Sequence, residues 1–330
     1  MTHVPRIESD KAARRSTHLP ESMTTHSTNW DVLAVGANSV DYVYRIPAPP
    51  EIHGPRAKMR IGRHLISCGG EATTMLATIA AMGLKGKYVG VTGNDDNGER
   101  IRRELTLLGL DIEDVILRDV PNPHAVILVD DSSGERMVLW DRDDGLSMRT
   151  TDYPVGLVRS ARLVHVDDTD QAAAIAVARA ARVAGVPVTS DIDRLTDRTE
   201  ELVAAVSLPM FAEHVPAVLT GESDPERALR KIRRTHDGML CVTLGPRGAM
   251  LLVGDTLYAE AAPVIDAVDT TGAGDVFRGG FAYAWLKGDA PDEILRFANA
   301  AAARSCTRIG AMKGVPTLSE ALALLERAVR

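Results

Sequence analysis

Cysteine is scarce. Cys68, Cys241 and Cys306 are the only three in 330 residues, and none of them stand at CxxC or zinc-ligand spacing, so the sequence encodes neither a disulfide framework nor a thiolate metal site. A reduced, cytoplasmic setting is the expectation. Aromatic residues are few as well, 4 Phe, 3 Trp and 6 Tyr, which leaves little material for stacking single-stranded bases. Positive charge does not dominate: 38 Lys+Arg against 45 Asp+Glu leave a net charge of −7. A sequence-independent hold on nucleic acid or anionic lipid is therefore not expected. No apolar run approaches the ~20 residues of a membrane-spanning helix. Also missing are GxxxxGK[ST] and a GxGxxG after the first apolar run, which argues against P-loop kinases and simple nicotinamide dehydrogenases.

What is present begins at Trp30. The preceding residues, through 29, are polar and carry no periodic apolar face; a disordered tail is expected, with Met23 a candidate start. From Trp30 short β-rich runs alternate with helical patterns, the mark of βαβ units. Strands are expected at 30–37, 87–91, 163–166, 186–191, 240–244 and 249–253, with a strand-like run at 262–268. Helices are expected at 72–82 and 171–184, the latter closed by Gly185 and Pro187. Right-handed crossovers then favour an α/β fold with a doubly wound, mostly parallel sheet flanked by helices. Two stretches break the rhythm. Residues 42–66 carry four prolines, and 124–140 reads as two strands about the turn Asp131-Ser132-Ser133-Gly134, so a small β-sheet lid is expected beside one main domain over 30–330.

The segment richest in chemistry is Asp269-Thr270-Thr271-Gly272-Ala273-Gly274-Asp275, which precedes a helix with Phe277, Gly280, Phe281, Ala284 and Trp285 on one face. Two glycines at a helix N-terminus let backbone N–H groups approach a bulky anion, and the helix dipole favours negative charge there. A carboxylate on the same turn would repel that anion. Asp275 makes sense as a base that takes the proton from an attacking hydroxyl during phosphoryl transfer. Simple helix capping is the plain alternative.

With these residues the chain resembles the PfkB (ribokinase-like) family of carbohydrate and nucleoside kinases. The resemblance also rests on Gly36-Ala37-Asn38-Ser39-Val40-Asp41, on Cys68-Gly69-Gly70, on the V-G-x-x-G-x-D-x-x-G segment from Val89 to Gly98, and on Val242 to Gly248. It covers most of 31–320, and the stretch from Val268 to Arg308 is similar to the sulfofructose kinase branch. The resemblance implies Asp275 as catalytic base with the N–H groups of Gly272, Ala273 and Gly274 on the transferring phosphoryl group. It implies a sugar held by Asn38, Asp41, Gly69 and Gly70, with Glu71, Thr74 and Asp167 at further substrate positions. ATP would lie along Thr243, Gly245, Gly248 and Asn299. Mg²⁺ is implied as cofactor, and K⁺ by Asp269, Thr271 and Gly310.

The departures from the family pattern carry expectations of their own. Where the family has Asn-x-x-Glu, this chain reads Phe211-Ala212-Glu213-His214-Val215, which leaves Glu213 as the nearby carboxylate for Mg²⁺. Asp41, Glu71 and Asp167 together predict an acidic pocket suited to a neutral sugar or an amine and unfavourable to a substrate already phosphorylated. Arg142, Asp143 and Asp144 could reach the substrate from the lid, but a solvated charged loop is the plainer reading. Only Tyr42 and Tyr44 are expected near the lid, which weakens a nucleoside as substrate. A nucleoside kinase and a non-catalytic sugar or nucleotide sensor are the two alternatives to a small-sugar kinase. An exposed lid edge suggests a homodimer.

Overall fold

The computed structural model describes residues 28–132 and 136–328. Met23, nearly all of the expected tail, and Ser133 and Gly134 of the expected turn lie outside them. In the N-terminal part the elements are β1 (Trp30–Val35), β2 (Ser39–Ile46), β3 (Arg63–Gly69), α1 (Glu71–Ala81), β4 (Gly86–Val89), β5 (Val91–Gly93), α2 (Asp96–Leu107), β6 (Ile116–Arg118), β7 (His124–Asp130) and β8 (Arg136–Asp141). The chain continues with β9 (Ala161–Val166), α3 (Gln171–Val183), β10 (Val188–Ser190), α4 (Thr199–Ala205), β11 (Met210–Phe211), α5 (His214–Thr220) and α6 (Pro225–Ile232). It closes with β12 (Leu240–Thr243), β13 (Ala249–Val253), β14 (Thr256–Glu260), α7 (Ala273–Lys287), α8 (Pro291–Ser305), α9 (Ala311–Gly314) and α10 (Leu318–Ala328).

Strand β1 shows why the sheet is central. Its residues alternate between two cores: Leu33 and Val35 face α3 and α4, while Val32 and Ala34 face α1 and α2. A strand buried on both faces needs a continuous apolar run, as WDVLAV provides. Strands β4, β1, β9 and β10 pair in parallel. Parallel bridges Thr189–Leu208 and Ile192–Phe211 carry the sheet on to β11 and β12, after which β13 and β14 run antiparallel. This is the expected α/β architecture. Both predicted β additions also combine, with β3, β2, β7 and β8 forming a separate four-stranded lid in which β2 and β7 are parallel.

Helix α7 is seated by its own glycines. A Cβ on Gly279 would lie 2.5 Å from Thr78 of α1, and one on Gly280 would lie 3.2 Å from Ala298 of α8. Larger residues at such crossings typically cost ~1–3 kcal/mol. The segment 262–268 is not a strand. Pro263 lacks an N–H for a ladder, and the apolar side chains from Ala262 to Ile265 line a cavity instead of pairing.

Candidate active site

The parallel strands all deliver their C-terminal ends to one edge, where ligands bind in open α/β sheets. At that edge the ends of β1 and β9 and the start of α1 meet the lid around a cavity of about 150 Å³. It is lined by Asn38, Gly70 and Glu71 together with Trp140 and Arg142 from the lid side and Arg194 from the loop after β10. Asn38 donates its amide to the Tyr88 hydroxyl (2.9 Å) and the Val91 carbonyl (2.8 Å), which fixes the side chain. Its Oδ1, the Glu71 Oε2 and the Thr169 Oγ1 are buried without a partner. Buried polar atoms are nearly always satisfied, so three unpartnered oxygens on residues that line one cavity mark it as a candidate ligand site.

The remaining predicted substrate residues stand one layer behind. Asp167 accepts from the backbone N–H of Ala37 (2.6 Å) and of Thr169 (3.0 Å), bracing the turn after β1. Gly36 at that turn has no room for a side chain, since a Cβ would overlap the Asp167 carboxylate. Asp41 lies against Gly69, where a Cβ would come within 2.6 Å of its Oδ2. Thr74 is fully buried beneath Gly272. Burial, the largest cause in each case, raises the carboxyl pKa of Asp41 to about 6 and of Asp167 to about 6. It also holds Glu71 well above the ordinary range, where neighbouring Asp167 adds to the effect.

A second cavity, of about 450 Å³, opens at the turn before α7. Thr243, Gly245, Gly248 and Asn299 all line it, as do Thr270, Ala273 and Gly274. Its walls are otherwise apolar: Pro263, Val264, Ile265, Phe277, Ala302 and Ala303. Gly248 has φ +92, and a Cβ there would meet the Glu260–Ala261 backbone, so the turn after β12 requires glycine. Asn299 donates to the Glu260 carbonyl (2.9 Å) and holds the same wall.

Beside this second cavity, Gly272 takes the left-handed conformation (φ 77) that opens α7, and Asp275 sits in its first turn. Asp275 is partly exposed at the mouth of the turn but crowded on its other sides. Desolvation first, and then the Asp191 carboxylate with which it hydrogen-bonds, push its pKa well above the ordinary value. The turn borders the second cavity through Thr270, Ala273 and Gly274, with Asp275 next in sequence, and the Ala273 N–H is donated to the Thr270 carbonyl at 3.2 Å. A glycine turn at a helix N-terminus beside a carboxylate can bind an anion and accept a proton.

A family model described as pfkB family carbohydrate kinase matches residues 32–318. The chain belongs to this family. It is 31% identical over 295 residues to an ATP-dependent ribose-1-phosphate kinase of Halopiger xanaduensis, covering 89% of this chain and 97% of that one. It is 27% identical to a nucleoside kinase of Methanothermobacter thermautotrophicus, over 90% and 96% of the two chains. Arabidopsis thaliana ribokinase, solved with ribose and ATP, superposes with a TM-score of 0.78 at 26% identity over 90% of this carbohydrate kinase and 99% of that chain.

The structure separates the other expected residues. Glu213 is exposed and paired with Arg247, and His214 is an exposed residue 4.0 Å from Asp193. Asp269 gathers Thr271 and Gly310, accepting their backbone N–H groups at 2.9 and 2.8 Å. Arg142 is a correction: it is not in a solvated loop but lines the sugar-side cavity and grips both oxygens of Asp170 at 3.0 and 2.9 Å. Trp140 and His124 also line that cavity, so the tyrosines are not the only aromatic or ring residues near the lid. Sequence reasoning missed Arg136 as well, whose guanidinium donates to the Thr270 and Thr271 hydroxyls at 2.9 and 3.1 Å. It missed Asp191, Arg194 and Arg278 too, which no short motif marks.

Proposed function

We propose that this pfkB-family kinase transfers the γ-phosphoryl group of ATP to a hydroxyl of a small neutral sugar, with Asp275 as general base. The position of Asp275 at the head of α7, next in sequence to Gly274 on the wall of the larger cavity and beside Asp191, carries the reading. The sugar lies among Asn38, Glu71 and Gly70, and the nucleotide lies along Thr243, Gly245, Gly248 and Asn299. The N–H groups of Gly272 and Gly274 bind the transferring group, that of Ala273 joins them on leaving the Thr270 carbonyl, and the helix dipole adds to them. Asp275 takes the hydroxyl proton as the new O–P bond forms. The lid excludes water and so limits ATP hydrolysis. A cavity of about 150 Å³ lies below the ~300–1,000 Å³ common for larger ligands, which favours a monosaccharide over a nucleoside. Retention of the base and its glycine turn speaks against a non-catalytic sensor.

Among the described residues no group of three or more His, Cys, Asp or Glu could hold a metal. Mg²⁺ ordinarily takes one or two carboxylates and completes its shell with phosphate oxygens and water, so it fits here as part of Mg·ATP. When bound, it neutralises charge on the phosphates. Potassium fits less well. Both Asp269 oxygens accept N–H groups, and the Arg136 guanidinium already stands 3.9 Å away. Exchange of K⁺ for Na⁺ in the assay is expected to leave the rate within about twofold, because two cations so close would repel.

A second substrate reading is a sugar already bearing a phosphate. It is favoured by Arg194, half exposed at the cavity, with pairs to Glu71 and Asp168 only at 3.7 and 4.0 Å, and by the name of the Halopiger relative. A coupled ADP-release screen over pentoses, hexoses, ketoses, nucleosides and ribose 1-phosphate decides between the readings. Turnover of the neutral sugars supports the first; preference for ribose 1-phosphate replaces it with the second. We also infer a cytoplasmic protein and a homodimer through the lid. Edge strand β8 leaves Met137, Val138, Leu139 and Trp140 exposed, and sedimentation of the Trp140→Lys variant as a monomer would support that interface.

A further inference from the structure

Asp275 does not stand alone. Strand β10 ends at Ser190, and the next residue, Asp191, is fixed by its backbone N–H to the Val166 carbonyl (2.9 Å). Its carboxylate, 4% exposed, meets Arg278 at 2.5 Å, with Arg278 equally buried. Arg278 lies three residues beyond Asp275 on α7, and helical side chains lean toward the N-terminus. Its Nη1 therefore packs beneath the anion turn, 2.7 Å from where a Cβ on Gly274 would be. Gly274 is thus needed for Arg278 as well as for the phosphoryl group. The Arg278 Nε has no partner.

The surroundings are short of positive charge. The turn after β9 contributes Asp167 and Asp168, α1 contributes Glu71, and the loop after β10 contributes Asp193 and Arg194. From the strands, His165 and Cys241 face Arg278, and burial keeps both neutral, His165 by lowering its pKa to about 3 and Cys241 by raising its thiol to about 12. Arg278 is the buried cation of the group. Two adjacent carboxylates beside one guanidinium cannot cheaply both stay ionised.

We propose that Asp191 is a positioning residue for the Asp275 base: anchored by Arg278, it shares one proton with Asp275 and orients it toward the acceptor hydroxyl. This rests on the kinase reading above. In the reacting state Asp191 carries the shared proton and donates it to one Asp275 oxygen, while its own other oxygen accepts from Arg278. The free Asp275 oxygen takes the substrate proton. The O–H bond breaks, the O–P bond forms, the bond from the γ-phosphorus to the ADP oxygen breaks, and ADP leaves with the electron pair. The pair then holds two protons and returns one to solvent after release.

The test compares Asp191→Asn with Asp191→Ala, using pH profiles and carboxyl-¹³C aspartate NMR, with Asp275→Asn assigning the Asp275 resonance. Asparagine keeps a donor to Asp275 but has no proton to give up, so it mimics the protonated Asp191 of the reacting state. The acid limb of kcat/KM should hold its place, while the alkaline limb, and the second step of the Asp275 titration, should disappear. Asp191→Asn should hold kcat within about tenfold, whereas Asp191→Ala should lose about 10²-fold with both KM values little changed. Arg278→Lys, which keeps the charge, should stay folded and keep both steps. An alkaline limb and a two-step Asp275 titration that persist in folded Asp191→Asn overturn the proposal. Should no sugar be turned over, the kinase reading fails separately, and the NMR titration still decides whether the two carboxylates share a proton.

Discussion

The two cavities at the strand-end edge are built on opposite principles. The sugar side is small and polar, with three buried oxygens lacking partners and two arginines already engaged or half engaged by carboxylates. The nucleotide side is three times larger and walled by proline, valine, isoleucine and phenylalanine. A polyol is told from its isomers by where its hydroxyls point, and leaving a built-for donor or acceptor unpaired is heavily penalised. A flat base needs only a slot of the right thickness. On the proposed reading, specificity is expected to reside in the first cavity and grip in the second.

Four substitutions or conditions would break that contrast, taken in order of expected effect. Asp275→Asn removes the base; kcat should fall ~10²–10⁴-fold while sugar and ATP binding, followed by calorimetry, persist. Gly274→Ala presses on the Arg278 guanidinium and narrows the anion turn. It should cut kcat by about 10²-fold, with ATP affinity weakened and sugar affinity unchanged. Asn38→Ala strips the cavity of a fixed acceptor and should raise the sugar KM about tenfold, leaving the KM for ATP alone. Equal effects on both KM values would show that the cavities are not independent.

The fourth concerns stability. Asp41, Asp167 and Asp191 have folded pKa values of about 6, 6 and 7, raised by burial above their unfolded values. Between about pH 4 and 7 the native state therefore binds more protons than the unfolded one, and stability falls as pH rises through that window. His165, lowered to about 3, acts in the opposite sense, but the carboxylates outnumber it. Calorimetry of the ligand-free protein should give a Tm higher at pH 5.5 than at pH 7.5. The difference should shrink in Asp191→Asn; a Tm that rises with pH would contradict the crowded acidic edge.

Much of this was legible in the residues. The alternation of β1 between Leu33 and Val32 faces, and the glycines before α7, follow from local pattern, so the sheet and the glycine turn that opens α7 were foreseen. Thr243, Gly245 and Gly248 converge on one cavity because they belong to one short motif with a fixed backbone shape, and Asn299 joins them from α8. What escaped depends on distance in sequence. Asp191 and Arg278 meet across 87 positions only when β10 and α7 are stacked, and Arg142 turns inward because Asp170 is there to receive it. The segment 262–268 was misjudged because apolar residues that line a ligand cavity carry the same pattern as a buried strand.

Arg136 links the lid to the chemistry in a way that bears on timing. Its two hydrogen bonds to Thr270 and Thr271 are anchored on the loop that leads into the glycine turn, so unlatching the cover must loosen the threshold of the phosphoryl site itself. Turnover in such an arrangement is expected to be paced by departure of the products, and solvent viscosity would then slow the steady state while leaving a first, single round untouched.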